Sequence, residues 1–214
     1  MDNKYVGFFG VDKYDVILYI ASLISCADKK ILLVDYSENK ALSYSVQKPM
    51  NLDTEIYSTR IKNVDFLSAD HINAALNYDY VFIDFGFNYE HVDVDKCQCY
   101  ISITDQQIHN IESLKKLNPF DIGKAVVILS GVNYKIDSNF VAQQLNLKNN
   151  DKMFFVYDDN VNTIHKLDCL YTNKISFKRC SKDFKAMIFG IVDLILSEDT
   201  QDIKKLYRLA ERRR

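Results

Sequence analysis

"YVGFFGVDKYDVILYIASLIS", residues Tyr5–Ser25, decides how the rest of the chain is read. A short apolar run, Tyr5–Phe9, meets Gly10; Lys13 follows, and a long apolar stretch begins at Tyr14. Strand, glycine, lysine, helix is the order in which a phosphate cradle is built, with backbone N–H groups and a helix N-terminus turned toward the anion. A cradle needs glycines that let the backbone curve, and most of them are missing here. The stretch therefore predicts a strand-to-helix unit and leaves open whether it can hold phosphate.

Five further runs read as buried strands: "KILLVD" (30–35), "YVFIDF" (80–85), "CYISIT" (99–104), "AVVILS" (125–130) and "MFFVY" (153–157). They are nearly continuous in apolar residues rather than alternating, as in a sheet covered on both faces. Helical stretches at Tyr14–Cys26, Gln107–Leu117, Ser138–Leu145 and Phe184–Leu196 separate several of them. The pattern predicts an α/β fold, a mostly parallel sheet with helices on both faces and right-handed crossovers. "NLDTEIYSTRIKNVDFLSAD" (51–70) is less regular and reads as a surface excursion ending in a short strand at "NVDFL".

With 214 residues, the chain suits one domain with a substantial core. Six Gly and two Pro argue against disorder or a flexible linker, and a net charge of −2 gives no global reason to expect nucleic acid. The longest apolar stretch, Val16–Ile24, is far short of the ~20 residues of a membrane span. No signal peptide is read at the N-terminus, and five cysteines without a regular framework suit a reducing compartment, so a cytoplasmic location is expected. Residues 1–199 are assigned to the α/β domain and 200–214 to a basic amphipathic tail outside the core.

Ligands of such sheets bind beyond the carboxyl ends of the strands. The residues there are Gly10, Asp35, Asp84, Ser130, Tyr157 and Asp158. A carboxylate ending an apolar strand is costly unless solvated, hydrogen-bonded or facing a cation. The bland reading is an Asp that caps the turn after its strand.

Taken together, "KKILLVDYSE", "NVDFLSA", "YDYVFIDFG" and "FFVYDDNV" resemble, in that order, the motifs of the ParA/MinD-type P-loop ATPases. In that family the second strand ends in an Asp, as "ILLVD" does at Asp35; the Walker B strand reads like Tyr78–Asp84; and a late turn is similar to Phe155–Asp158. The resemblance spans about residues 4–196 and implies a nucleotide site of Gly10, Lys13, Tyr14, Asp35, Asp84, Ser130, Tyr157 and Asp158. If the protein were active, it would use ATP and magnesium, with Asp35 and Asp84 at the metal and orienting water. Members place or organise large assemblies, and most dimerise across the nucleotide face.

The first loop departs from the family pattern. Matching "YVGFFG" to the family's first strand leaves a loop about three residues short, with both central glycines gone. Asp12 stands where the last glycine should be and would repel phosphates. Tyr14 stands where a Ser or Thr should hold magnesium, and its hydroxyl is too far out to replace one. Lys13 alone stays in register, and a lone lysine is as easily a solvated helix start. Ser130 replaces an adenine-reading Asn, with Asn133 nearby, and bulky "FGFN" follows Asp84. The expectation is a degenerate ATPase with no cofactor, a scaffold or positioning factor for a larger bacterial machine, with protein partners and a homodimer. The alternative is an atypical but active Mg-ATPase switch.

Cys97 and Cys99 could suggest a bridging metal, but C-x-C entering a strand puts both thiols on one face, where they read as small hydrophobes. His71, His91, His109 and His165 are scattered, and "NYEHVDVDK" (88–96) reads as a solvated loop rather than a cation site. In the tail, Ile203, Leu206, Tyr207 and Ala210 form an apolar stripe, with Lys204, Lys205, Arg208, Arg212, Arg213 and Arg214 around it. A solvated helix or one docked on a partner is the bland reading; peripheral membrane contact comes second, and nucleic acid is not expected.

Overall fold

The computed structural model describes residues 3–46, 54–68, 72, 77–116, 124–130, 138–147, 152–157, 160–172, 175–196 and 203–212, with 124–130 and 138–139 known by backbone alone. The strands are β1 (Lys4–Gly10), β2 (Ile31–Asp35), β3 (Ile56–Ser58), β4 (Val64–Leu67), β5 (Tyr80–Gly86), β6 (Cys99–Thr104), β7 (Lys124–Ser130) and β8 (Lys152–Tyr157). The helices are α1 (Tyr14–Ile24), α2 (Ala41–Val46), α3 (Ile108–Lys115), α4 (Ser138–Gln144), α5 (Asn160–Thr172), α6 (Lys182–Ile195) and α7 (Ile203–Arg212).

The sheet runs β3-β4-β2-β5-β1-β6-β7-β8, parallel throughout except for the antiparallel edge pair β3–β4. Successive side chains of a strand point to opposite faces, and both faces are packed here, which explains the uninterrupted apolar runs. On one face Phe8, Leu33, Phe82 and Ile101 pack under α1 and α6; on the other Phe9, Val34, Ile83 and Tyr100 pack under α3 and α4. The α1 helix is buried along its whole length, which is why its sequence lacks a polar stripe.

The central strand β1 lies between β5 and β6, so the chain leaves it toward β2 on one side and returns past it to β6 on the other. A crevice opens at that reversal, at the carboxyl ends. The register there aligns Phe8 with Asp84, slips, and pairs Phe9 with Gly86, while Asp35 pairs with Asp84.

One expectation is corrected, and one helix is added. The tail helix does not lie outside the core: Leu206 and Ala210 of α7 are buried, and the Tyr207 ring meets the edges of Phe177 and Phe189. The stripe read as amphipathic is consumed by packing on α1 and α6. The helix at 160–172 has no counterpart in the sequence reading, because two of its three buried residues, Asn162 and His165, are polar.

Candidate functional site

The strand-to-helix connection is tight. Gly10 has φ +103°, and a Cβ there would lie 1.8 Å from the carbonyl oxygen of Ile103. The Val11 N–H donates to that same oxygen at 3.0 Å, which pins the loop to β6. Only Val11, Asp12 and Lys13 then separate β1 from α1.

Lys13 is not a solvated helix start. Its side chain is 2% exposed and turns back under the loop, with Nζ 2.7 Å from Asp84 Oδ1. The ammonium also donates to the carbonyls of Gly10 and Val11, at 3.1 and 3.3 Å. The loop therefore turns carbonyl oxygens toward its lysine and spends the Val11 amide on β6. A phosphate cradle has the opposite polarity, with amides inward and the lysine reaching out to the anion.

Asp84 also accepts from the Gly86 N–H at 2.9 Å. Burial pushes its carboxyl above the usual carboxylate range, and Lys13 opposes that rise. Two charges taken out of water cost several kcal/mol each, so this pair persists because each neutralises the other and both are hydrogen-bonded.

Asp35 serves its own turn. One carboxylate oxygen accepts from the Ser37 N–H at 3.0 Å and from the Ser37 hydroxyl; the other accepts from the Ser43 N–H and hydroxyl, at 2.8 and 3.0 Å. These bonds tie β2 to the start of α2, and Asp35 does not line the crevice.

The crevice holds about 590 Å³ and is walled by Asp12, Lys13, Glu38, Asp84, Asp105 and Lys166, among others. Asn39 closes one side by donating to Asp12, and Asp105 accepts from the Gln107 N–H at 2.8 Å and from Asn110 at 2.9 Å. Carboxylates outnumber ammonium groups on the lining, and one of the two ammonium groups is already paired with Asp84. Lining, loop polarity and the committed lysine together do not fit a magnesium–triphosphate group.

The remaining predicted residues are dispersed. Tyr14 is buried, and its hydroxyl donates to the Lys166 carbonyl at 3.1 Å; burial pushes its phenol up, and it touches α5 rather than the crevice. Ser130 ends β7, where only the backbone is described, and Tyr157 ends β8 with its ring exposed and away from the crevice. Asp158 and Asn133 lie outside the described residues. The structure thus brings Gly10, Lys13 and Asp84 together and leaves Tyr14, Asp35 and Tyr157 elsewhere. It adds Glu38, Asp105 and Lys166, of which only Asp105, just past β6, carries a signal in the sequence.

Two smaller readings are revised. Cys97 and Cys99 pack on opposite faces of the sheet, because Cys97 lies in the extended link between the 3-10 turn Val94–Lys96 and β6; burial pushes both thiols up to about 12. Asp93 of the acidic loop is buried rather than solvated, taking Lys96 at 2.6 Å and the Tyr36 hydroxyl at 3.1 Å. His91 stacks on Tyr36, His165 is buried in α5, and His71 lies outside the described residues. Among the described residues, no three His, Cys, Asp or Glu side chains converge as metal ligands.

No protein-family profile matches this chain, and neither does any curated protein sequence. Solved structures do. The chain is similar to an McdA variant of Cyanothece in complex with ATP (TM-score 0.60, 11% identity, 91% of this chain and 96% of that one). It is similar to the MinC:MinD cell division protein complex of Aquifex aeolicus (0.59, 10%, 93% and 97%). It is also similar to a ParA family ATPase from Chlorobium tepidum TLS (0.55, 15%, 99% and 100%). The likeness runs over almost the whole of each chain, and the protein has the ParA/MinD-type P-loop ATPase fold.

Proposed function

We propose that this protein is a ParA/MinD-like pseudo-ATPase, a non-catalytic scaffold or positioning factor for a larger assembly. The observation that carries the reading is the buried Lys13–Asp84 pair beneath a loop whose carbonyls face inward. Catalysis of phosphoryl transfer is mostly positioning and electrostatic stabilisation, and donors aimed elsewhere forfeit both. Titration calorimetry with magnesium and ATP tests it: the expected result is no binding in the micromolar range. Micromolar binding would overturn the scaffold reading.

The size of the crevice, at the place where such sheets take ligands, favours a second reading as an atypical Mg-ATPase. That reading requires Lys13 to leave Asp84. Hydrolysis abolished by Asp84→Ala in a variant that still folds would establish it.

Partners follow the same reading. Solved structures of this fold include MinD with MinC and the pNOB8 ParA on nonspecific DNA. For this chain a protein partner and a homodimer, in a cytoplasmic setting, suit a scaffold. Membrane contact would run through the basic face of α7, where Lys204, Lys205, Arg208 and Arg212 are exposed; Arg213 and Arg214 lie outside the described residues. Cosedimentation with anionic liposomes and with DNA separates these possibilities.

A further inference from the structure

Among the described residues, the crevice at the carboxyl ends sets four carboxylates, Asp12, Glu38, Asp84 and Asp105, against two ammonium groups, Lys13 and Lys166. Lys13 is spent on Asp84, while Lys166 Nζ reaches the Asp12 carbonyl at 3.4 Å and lies 5.6 Å from the Tyr14 ring centre. Acidic residues alone would make only a solvated surface; Asp84 makes the difference. It is 2% exposed, and both of its donors, Lys13 Nζ and the Gly86 N–H, meet the same oxygen, Oδ1. Oδ2 has no donor among the described residues and is left to the crevice that Asp84 lines. A carboxylate has room for about four donors, and an acceptor taken out of bulk water without one is costly. The outer carboxylates repeat the pattern. Both donors of Asp105, the Gln107 N–H and the Asn110 amide, also fall on its Oδ1, and exposed Glu38 has no ion pair among the described residues.

Three features say which cation. The oxygens here already enclose an alkylammonium, since Lys13 Nζ takes the Gly10 and Val11 carbonyls together with Asp84. Magnesium demands near-octahedral oxygen ligands, whereas no three His, Cys, Asp or Glu side chains converge as metal ligands among the described residues. A crevice of about 590 Å³ suits an organic molecule rather than a lone ion, and Val11 and Phe87 give its wall apolar patches for a methylene chain. We infer that the crevice binds a linear alkylammonium ligand of two or more charges, with one ammonium at Asp84 Oδ2 and a second among the outer carboxylates Glu38 and Asp105. The excess of carboxylates over ammonium groups in the lining sets the charge of the ligand. This ligand class rests on the scaffold reading, in which the site no longer takes magnesium and ATP; the polarity that repels a triphosphate attracts an amine. A free polyamine or paired lysines of a partner protein would supply the same two groups.

Titration calorimetry of the full chain with spermidine and with a blocked dilysine peptide, at physiological salt to screen nonspecific attraction, tests the proposal. The expected result is one site per chain of micromolar affinity for at least one probe. Glu38→Gln and Asp105→Asn should each weaken it at least about tenfold, the loss of one charge-assisted hydrogen bond. Glu55→Gln, at an exposed carboxylate outside the crevice, should leave it unchanged. A folded Asp84→Asn should lose binding; should that variant not fold, exposed Glu38 still decides the matter. Tighter binding of spermidine marks a free polyamine as the source, tighter binding of the peptide a partner's lysines, and either supports the site. Three results overturn the proposal: neither probe binds below the millimolar range, the Glu38 and Asp105 variants bind as well as the parent, or magnesium chloride at equal concentration displaces the probe. Mg-ATP is titrated separately. If neither it nor an amine binds, the amine site falls and the scaffold reading stands; if Mg-ATP alone binds, both fall.

Discussion

Lys13 Nζ and Asp84 Oδ1 are 2.7 Å apart, and both side chains are shut away from water. Lys13→Met leaves a buried carboxylate without its cation, and we predict a loss of about 3–5 kcal/mol in urea denaturation at pH 8. Asp84→Asn added to that variant should recover part of the loss, giving a double variant less destabilised than the sum of the singles. The pH dependence has a definite sign. Burial already holds Asp84 above the ordinary carboxylate range, and removing Lys13 takes away what opposes that rise. A carboxyl raised in the folded state favours folding at low pH and loses that contribution as pH climbs through its folded value. The deficit of Lys13→Met should therefore shrink between pH 8 and pH 5; a constant deficit would refute the assignment.

Gly10 and Gly86 both have positive φ, at +103° and +58°, but they predict different outcomes. A Cβ at Gly10 runs into the Ile103 carbonyl, so Gly10→Ala should cost more than about 3 kcal/mol, well beyond an average substitution. At Gly86 the nearest atom is Ser37 Cβ at 3.2 Å, and Gly86→Ala should cost about 1–2 kcal/mol, the left-handed penalty. Thermal unfolding of the two variants ranks them.

Asp35→Ala removes a carboxylate that accepts bonds from Ser37 and Ser43. Stability should fall by about 2–4 kcal/mol through the unsatisfied donors of the turn. If Asp35 were instead a site residue, the same change would alter ligand binding with little effect on stability. Urea denaturation of the variant decides between them.

On α7, Leu206→Ala should cost about 2–4 kcal/mol, because the side chain is buried against the core. Arg208→Glu with Arg212→Glu should change stability by no more than about 0.5 kcal/mol, since both are exposed. If the protein contacts anionic vesicles, the paired reversal should abolish cosedimentation, and added salt should do the same. Binding that survives both would rule out the basic face of α7 as the contact.

Cys26, Cys97, Cys99, Cys169 and Cys180 are all buried, and burial pushes the thiols of Cys97 and Cys99 up to about 12. A thiol reagent at pH 8 should react with the native protein far more slowly than with the unfolded chain. Rapid reaction of any native thiol would contradict this packing.

The strand order of the motifs and the apolar runs make the sheet legible without coordinates, because a strand buried on both faces needs uninterrupted apolar residues wherever it sits. The tight connection from β1 to α1 is legible for a similar local reason: a chain of given length and glycine content can curve only so far. α5 is not legible, because helix reading relies on apolar residues facing inward, and this helix turns Ile164 and Leu167 to water. The tail is visible as a helix but not as a docked one, since a stripe of Leu206, Tyr207 and Ala210 does not state what covers it.

What the residues determined unaided was the α/β class, the position of the crevice at the carboxyl ends, and the lack of glycines around Lys13. Only the tertiary structure decided how Lys13, Asp35 and Asp84 divide their labour. Asp35 and Asp84 look alike from sequence, each a carboxylate ending an apolar strand. Their roles diverge because the turn after β2 folds the donors of Ser37 and Ser43 onto Asp35, while the short loop above β1 delivers an ammonium to Asp84. A carboxylate's function is set by the donors and cations that surround it, and those arrive from segments distant in the chain.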